Sequence, residues 1–331
     1  MTYFYGSFLS AFIAAVIAYY LGGVSGLIVV TLLAILEISL SFDNAIVNAA
    51  VLRHWSDTWR KRFLWFGLPF AVFGMRLVFP VMIVAFATGL TMSEALTLAL
   101  YDPARYLEAL HAVHLQVAAF GSMFLALVAF EFFIDEEKKH HWLPWIEPLL
   151  SRLETYQKAV GVGLTLLMLL FAARFVQSDG QLGFIYAGVC GILTYIFVKC
   201  IGKMLGGTSD PSRVAEGVGG FLYLEVLDAS FSFDGVIGAF AVTHQLALIV
   251  LGLGVGAFFV RSFTVYLTMQ GTLQKYRYLE HGAFWAILFL AFVMLAGIVV
   301  PIPEAVTGLV GAMLIGLSLY SSYREQVGVV A

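Results

Sequence analysis

Two apolar stretches of the chain each carry a pair of acidic residues at one spacing. In EISLSFDNAIVNAA, Glu37 precedes Asp43 by six positions, and in DASFSFDGVIGAFA, Asp228 precedes Asp234 by the same six. An ionised carboxylate in the middle of a bilayer costs on the order of 3 kcal/mol even on a lenient insertion scale. Acids repeated in this way within apolar sequence therefore indicate a functional site for cations.

The six-residue spacing predicts that neither motif lies on a straight helix. At about 100° per residue, two side chains six positions apart point roughly 120° away from each other and cannot share a ligand. Asp43 falls outside the polar face that repeats every three or four residues, which comprises Glu37, Ser41, Asn44 and Asn48. We therefore predict that both motif helices are broken around Ser-Phe-Asp, which would turn the second acid inward and free backbone carbonyls as ligands.

The side chains of the two motifs offer only oxygen ligands. Such a set suits a hard or borderline divalent cation such as Mn, Mg or Ca better than Cu or Zn. The predicted ligands are Glu37, Ser41, Asp43, Asn44, Asp228, Ser232 and Asp234, with Glu225 and Asn48 as accessory positions. Four facing carboxylates cannot all stay ionised in an empty site, so the ion could exchange for protons. The alternative is that these acids cap helices near the membrane surface or are neutralised by Arg76 and Arg261.

Two arginines fall inside apolar segments that follow the motifs. Arg76 and Arg261 would supply counter-charge to the vacant site or gate it, and packing near helix ends is the alternative for both. Near the outer end of a later segment, Glu108, His111 and His114 have the spacing of metal ligands. Polar anchoring at the membrane interface is the favoured interpretation of these three.

The composition predicts an all-α polytopic membrane protein. Of 331 residues, 61% are hydrophobic and 12% are charged, and the mean hydropathy is +0.93, far outside the range of soluble proteins. The net charge of −3 gives no indication of nucleic-acid binding. Cys190 and Cys200 share one apolar segment and are expected to pack rather than to form a disulfide. The first apolar segment is predicted to be a membrane span and not a signal peptide.

Hydropathy predicts about ten transmembrane spans, at residues 5–22, 24–52, 63–88, 111–133, 159–177, 180–203, 217–242, 246–269, 282–300 and 303–321. If the N-terminus is cytoplasmic, 14 of the 18 Lys and Arg residues face the cytoplasm and two face the outside. This asymmetry predicts cytoplasmic termini in the inner (plasma) membrane. Residues 89–110 are predicted to form an amphipathic interfacial helix, and the charges of the loop 134–158 are predicted to be solvated.

The ten spans divide into two repeats, residues 1–178 and 179–331. Residues 39–43 align with 230–234 at an offset of 191, and residues 67–76 align with 252–261 at an offset of 185. Because each repeat has five spans, an odd number, the two must cross the membrane in opposite directions, as in many secondary transporters. That plan brings the two motifs together near the midplane. A channel would also fit an internal repeat.

At these residues the chain resembles the TerC family of integral membrane proteins, which is named for tellurium resistance and lies near the LysE exporter superfamily. The resemblance rests on the Glu-x5-Asp-Asn element at 37–44, its second copy at 228–234, the Arg after each motif, and YLEHG at 278–282. It implies metal-ion transport, most often manganese efflux, and roles in metal supply to secreted proteins and in tellurite tolerance. Gly235 replaces the second Asn and Asp228 replaces a Glu, so the choice of ion could differ.

The favoured function is export of a divalent metal ion, with Mn(II) as the expected cargo and no tightly bound cofactor. The main alternative is a membrane partner for the metalation of secreted proteins, or for tellurite resistance, without transport of its own. A second copy of the chain or the secretion machinery would then be the partner. An intramembrane aspartyl protease using Asp43 and Asp234 is disfavoured because the Gly-x-Gly-Asp signature is absent, so no enzyme activity is expected.

Overall fold

The computed structural model describes residues 2–135, 140–151, 157–206, 214, 216–300 and 302–328. Over these residues the chain is helical and contains no strand. The helices are α1 (Tyr5–Leu40), α2 (Phe42–Leu52), α3 (Asp57–Pro69), a π-helix (Phe70–Val78), α4 (Phe79–Thr88), α5 (Met92–Tyr101), α6 (Pro103–Ile134), α7 (Glu147–Ser151), α8 (Gln157–Ala173), α9 (Ser178–Gly206), α10 (Val218–Val242), α11 (Leu246–Met269), α12 (Thr272–Lys275), α13 (Leu279–Ala296) and α14 (Glu304–Gly328).

Several of these helices have the length and composition of transmembrane segments. In the described part of the chain, seven stretches are long and apolar enough to cross a bilayer, and they fall in α1, the π-helix with α4, α6, α9, α11, α13 and α14. Helices α2 and α8 are apolar but shorter. The protein is therefore a multi-pass membrane protein, as its composition predicts.

Helix α1 consists of two parts separated by a glycine pair. Gly22 and Gly23 depart from helical backbone angles, and Gly23 has φ of 59°, a region that glycine reaches without steric cost. This kink falls at the predicted boundary between the spans 5–22 and 24–52. The two parts of α1 lie against α11, through small residues such as Ala14, Ala18 and Ala34.

The predicted break in the motif helix is confirmed in the first copy and wrong in the second. Helix α1 ends at Leu40, Ser41 has φ of −105° and ψ of 15°, and α2 begins at Phe42. Helix α10 instead runs without interruption from Val218 to Val242. Gly235 lies within this continuous helix and faces the side chain of Glu37, since a Cβ at this position would lie 3.4 Å from Oε2 of Glu37.

Helix α6 occupies the centre of the bundle. In its most apolar stretch 78% of the residues are buried, against 28% in α1 and 22% in α14. It packs against α8, α9, α10 and α13, while α2 packs against α11 and α13. The motif helices α2 and α10 consequently lie in the core, and α1 and α14 leave much of their apolar surface for lipid.

Residues 89–110 do not form one interfacial helix. Helix α5 is a separate ten-residue helix that packs through Ala95 and Ala99, and residues 103–110 are the first turns of α6. Thr91 caps α5 in a capping box with Glu94. The backbone and side chain of Thr91 both hydrogen-bond this exposed carboxylate, which holds the pKa of Glu94 below its usual value.

The connection between α6 and α8 also differs from its prediction. The charges of residues 134–158 are predicted to be solvated, but Glu147 at the start of α7 is fully buried. His140 is exposed, as a solvated segment requires. Lys138 and Lys139 lie outside the described residues.

Candidate cation site

Glu37 forms a buried ion pair with Arg76. Both side chains are only 2% exposed, and Nη2 of Arg76 donates a hydrogen bond to Oε1 of Glu37. Ser41, one turn further along the chain, donates its hydroxyl to the same oxygen at 2.7 Å. A buried charge is tolerated when it is paired and hydrogen-bonded. The first acid of the first motif is therefore neutralised within the protein.

The position of Arg76 depends on an irregular helix. The π-helix Phe70–Val78 follows Pro69, and its wider turn lets Nη1 of Arg76 donate to the carbonyl of Ala71, five residues earlier. Short π-helical segments are rare and are frequent at functional sites. Nε of Arg76 is buried and has no hydrogen-bond partner among the described residues. The guanidinium is thus directed at Glu37 by local backbone geometry.

Close helix contact around Glu37 requires glycine on α11. A Cβ at Gly256 would lie 2.5 Å from Cγ of Glu37, a separation that real side chains do not adopt. The absence of a side chain at Gly256 lets α11 approach α1 at this level. Gly235 on α10 lies on another side of the same residue, so the carboxylate of Glu37 lies between α1, α10 and α11.

Asn44 joins the two motifs directly. Its Nδ2 donates a hydrogen bond to Oδ1 of Asp228 on α10, and Nδ2 of Asn48 donates to Oδ1 of Asn44 at 3.2 Å. On the residues around these hydrogen bonds, three buried oxygen atoms have no hydrogen-bond partner among the described residues: Oδ2 of Asp228, Oγ of Ser232 and Oδ1 of Asn48. Buried polar atoms are nearly always paired. The unpaired oxygens on α2 and α10 are therefore candidate ligands for a cation.

Asp43 faces a cavity and not Glu37. The side chain is 7% exposed, and Oδ1 accepts a hydrogen bond from the backbone N–H of Asn44 at 2.8 Å. It lines a cavity of about 350 Å³ bounded by α2, α6, α10, α13 and α14. Helix α14 borders this carboxylate at Gly311, where a Cβ would lie 4.0 Å from Oδ2 of Asp43.

The described side chains do not gather all the predicted ligands around one point. They form a pair of Glu37 with Ser41 and a second pair of Asn44 with Asp228, while Asp43 faces the cavity. Among the described residues, no three His, Cys, Asp or Glu side chains form a group that could hold a metal ion. The side chain of Asp234, the remaining predicted carboxylate, lies outside the described part of the structure.

The second arginine pairs with Glu225. Nη2 of Arg261 lies 3.7 Å from Oε1 of Glu225, and its guanidinium stacks over the ring of Phe63 at 4.0 Å. Neither carboxylate oxygen of Glu225 has a hydrogen-bond partner among the described residues. Each motif thus has one glutamate beside an arginine from the following span, Glu37 on α1 in the first copy and Glu225 on α10 in the second. In the second copy that glutamate precedes Asp228, the residue that aligns with Glu37, by one turn.

A second buried polar cluster escaped the sequence analysis. Glu147 on α7 accepts hydrogen bonds from Nε1 of Trp285 at 2.9 Å and from the backbone N–H of Trp142 at 3.1 Å. Nδ1 of His281 lies 2.8 Å from the same carboxylate. This cluster attaches the connection between α6 and α8 to the beginning of α13. Only the proline residues on either side of WIEP hinted at a structured segment.

The fold and its buried acids define a multi-pass membrane protein with carboxylates in the core of the helix bundle. Within that class, the chain belongs to the family described as "Protein of unknown function (DUF475)", whose profile matches residues 42–327. Comparisons with curated proteins and with solved structures gave no match. The match begins at the first residue of α2, so it includes Asp43, Asp228 and both arginines.

Proposed function

We propose that the protein transports a divalent metal ion across the membrane, with export of Mn(II) as its activity and protons as the exchanged ions. One observation carries the proposal: the carboxylate of Asp43 faces a cavity of about 350 Å³ in the core of an apolar helix bundle. Ionisable side chains that face cavities inside a membrane protein mark substrate pathways by default.

The ligands proposed for the ion are oxygen atoms from both motif helices. Asp43 contributes a carboxylate from α2, and the unpaired oxygens of Asp228 and Ser232 contribute from α10. Asp234 is the fourth carboxylate in the proposal. An all-oxygen set suits Mn, Mg or Ca, and the choice of manganese rests on the resemblance to the TerC family.

The arginines divide the acids into two classes. Arg76 and Arg261 form ion pairs with Glu37 and Glu225. Asp43 and Asp228 form no ion pair among the described residues, although Arg261 also attracts Asp228 at longer range. We therefore assign the two aspartates to ion binding and the two glutamates to ion pairs with the arginines. Displacement of an arginine by the bound ion would link occupancy to helix movement.

A two-fold plan supports alternating access. Helix α2 packs against α13, and α10 packs against α6, so each motif helix contacts the fourth span of the opposite predicted repeat. Each half also supplies one Glu–Arg pair. In inverted-repeat transporters the substrate lies between the repeats, which expose it to one side at a time. The proposed site has this position between α2 and α10.

The test is Mn(II) flux into proteoliposomes that contain the purified protein. Asp43→Asn and Asp228→Asn remove a charge while keeping the size of the side chain, and we expect each to reduce flux by at least tenfold. Asp179→Asn is the matched control, because Asp179 is an exposed acid in the first turn of α9. Size-exclusion chromatography checks that the variants are folded.

Two outcomes would contradict the proposal in different ways. Full Mn(II) flux in both folded aspartate variants would show that neither Asp43 nor Asp228 is needed to bind the ion, although the protein would still be a transporter. No flux of any divalent ion through the folded wild-type protein would reject transport. The second result would favour a membrane partner for the metalation of secreted proteins.

A further inference from the structure

The cavity beside Asp43 extends to one end of the helix bundle. Its lining includes Gly297, which follows α13, Ile302, which precedes α14, and Thr307 in the first turn of α14. Asp43 and Phe42 line its deep part, at the start of α2. The cavity therefore connects the buried carboxylate to the turn between α13 and α14.

The distribution of basic residues identifies this end as the outer one. Arg53 follows α2, Lys275 ends α12 just before α13, and Arg324 lies in the last turns of α14. All three occupy the end of the bundle opposite the α13–α14 turn. Lys and Arg concentrate on the cytoplasmic side of membrane proteins, so the cavity faces outward.

His114 lines the same cavity from α6. The other polar side chains in its lining are those of Ser39, Asp43 and Thr307, and the remaining walls are apolar or glycine. His114 is partly buried, whereas His111, one turn earlier on α6, is exposed and does not line the cavity. An imidazole and a carboxylate thus line one cavity that contains few other possible ligands.

We propose that this cavity is the outward release path of the ion and that His114 is a ligand within it that selects transition-metal ions over Ca(II) and Mg(II). This inference rests on the proposed function and adds the class of ion. Imidazole nitrogen binds first-row transition metals well, while Ca(II) and Mg(II) take oxygen ligands. Apolar walls beyond His114 hold the ion weakly, and conduction requires a site that the ion can leave.

The first experiment measures ion preference in proteoliposomes. Mn(II) flux is recorded with Mg(II) or Ca(II) as competitor, for wild type, His114→Ala and His114→Gln. Loss of a metal-site interaction typically weakens affinity about tenfold or more. We therefore expect His114→Ala to raise the half-saturating Mn(II) concentration by that factor and to make Mg(II) an effective competitor. His114→Gln replaces the imidazole nitrogen with an amide oxygen, so we expect Mg(II) to compete with Mn(II) more effectively still.

His111→Ala is the matched control and should leave both quantities unchanged. An unaltered preference for Mn(II) over Mg(II) in His114→Ala would overturn the role of His114. Wild-type protein without any Mn(II) flux would instead overturn the proposed function, so the two failures are distinguishable.

The second experiment tests the path without measuring transport. Thr307→Cys is introduced after replacement of both natural cysteines by serine, and intact cells receive a membrane-impermeant thiol reagent. We expect labelling of Thr307→Cys from outside and none of Ser122→Cys, a buried position on α6. Labelling of Thr307→Cys only after permeabilisation would place the cavity on the cytoplasmic face and overturn the release path.

Discussion

At the scale of single residues, Glu37 and Arg76 form an ion pair inside the core. Both side chains are 2% exposed, so each charged group contacts its partner instead of water. Removing one partner of a buried pair typically costs about 3–5 kcal/mol, because the remaining charge stays buried and unpaired. Replacing both partners with neutral groups is much less damaging.

We therefore expect Arg76→Met to lower the thermal unfolding temperature of the detergent-purified protein strongly. The double variant Glu37→Gln with Arg76→Met should recover a large part of that loss. Arg105→Met is the control, since Arg105 is exposed at the start of α6, and it should change little. Equal destabilisation of the single and double variants would show that the guanidinium contributes through packing and not through the charge of Glu37.

Sequence patterns identified most of these residues but not their partners. Apolar context alone marks Glu37, Asp43 and Arg76 as buried charges, because hydropathy is a local property. Partners depend on how helices from distant parts of the chain lie side by side. Arg261 consequently contacts Glu225, one turn away from the aligned position at Asp228.

Glu147 was missed for the same reason. Its two side-chain partners on α13 lie 134 and 138 residues away in sequence, and the same connection carries the charged run DEEKKHH at 135–141. A local reading of that segment therefore predicts solvent exposure. Burial of Glu147 follows only from the docking of α7 onto α13.

At the scale of secondary structure, the two motifs show what spacing can and cannot predict. The off-face position of Asp43 correctly predicts the break at Ser41. The same spacing in the second copy coexists with a continuous α10. The two copies have different surroundings: α10 at Gly235 packs beside Glu37, a neighbour almost two hundred positions earlier in the sequence, and local spacing does not report such contacts.

Close packing at Gly256 leads to a prediction for α11. In Gly256→Ala the new methyl group would overlap the side chain of Glu37, and overpacking of this kind typically costs about 1–3 kcal/mol. We expect a lower unfolding temperature and a loss of Mn(II) flux, because α11 and α1 must separate.

Gly163→Ala is its matched control, since no heavy atom lies within 4 Å of a Cβ built at this glycine of α8. Alanine favours helix over glycine, so this control should be neutral or slightly stabilising. A neutral Gly256→Ala would show that α1 and α11 can move apart at this level without cost.

At the scale of the whole molecule, the predicted repeat explains why the site consists of two unlike halves. Each half supplies a motif helix and a Glu–Arg pair, but the first motif helix is broken and the second is continuous. Among the described side chains, the acid that lines the cavity is Asp43 of the first motif. Inverted repeats that differ in this way can occupy different conformations in one protein. An outward-facing cavity is then expected to have a closed counterpart on the cytoplasmic side, where α10 is continuous.

The membrane topology tests this plan directly. Thr58 and Ser93 lie before and after the crossing formed by α3, the π-helix and α4, and Gln245 and Gln270 lie before and after α11. If the repeats are inverted and both termini are cytoplasmic, the two crossings run in opposite directions. All four positions are exposed, so single cysteines introduced there should react according to the side of the membrane.

We expect an impermeant thiol reagent to label Ser93→Cys and Gln245→Cys on intact cells, in a background without the natural cysteines. Thr58→Cys and Gln270→Cys should react only after permeabilisation, which also controls for their intrinsic reactivity. Labelling of Ser93→Cys and Gln270→Cys from the same side would make the two crossings parallel. A cation held between parallel repeats would lack the two-sided access that inversion provides. That result would therefore exclude the alternating-access mechanism, and a channel would then be the explanation of the buried carboxylates.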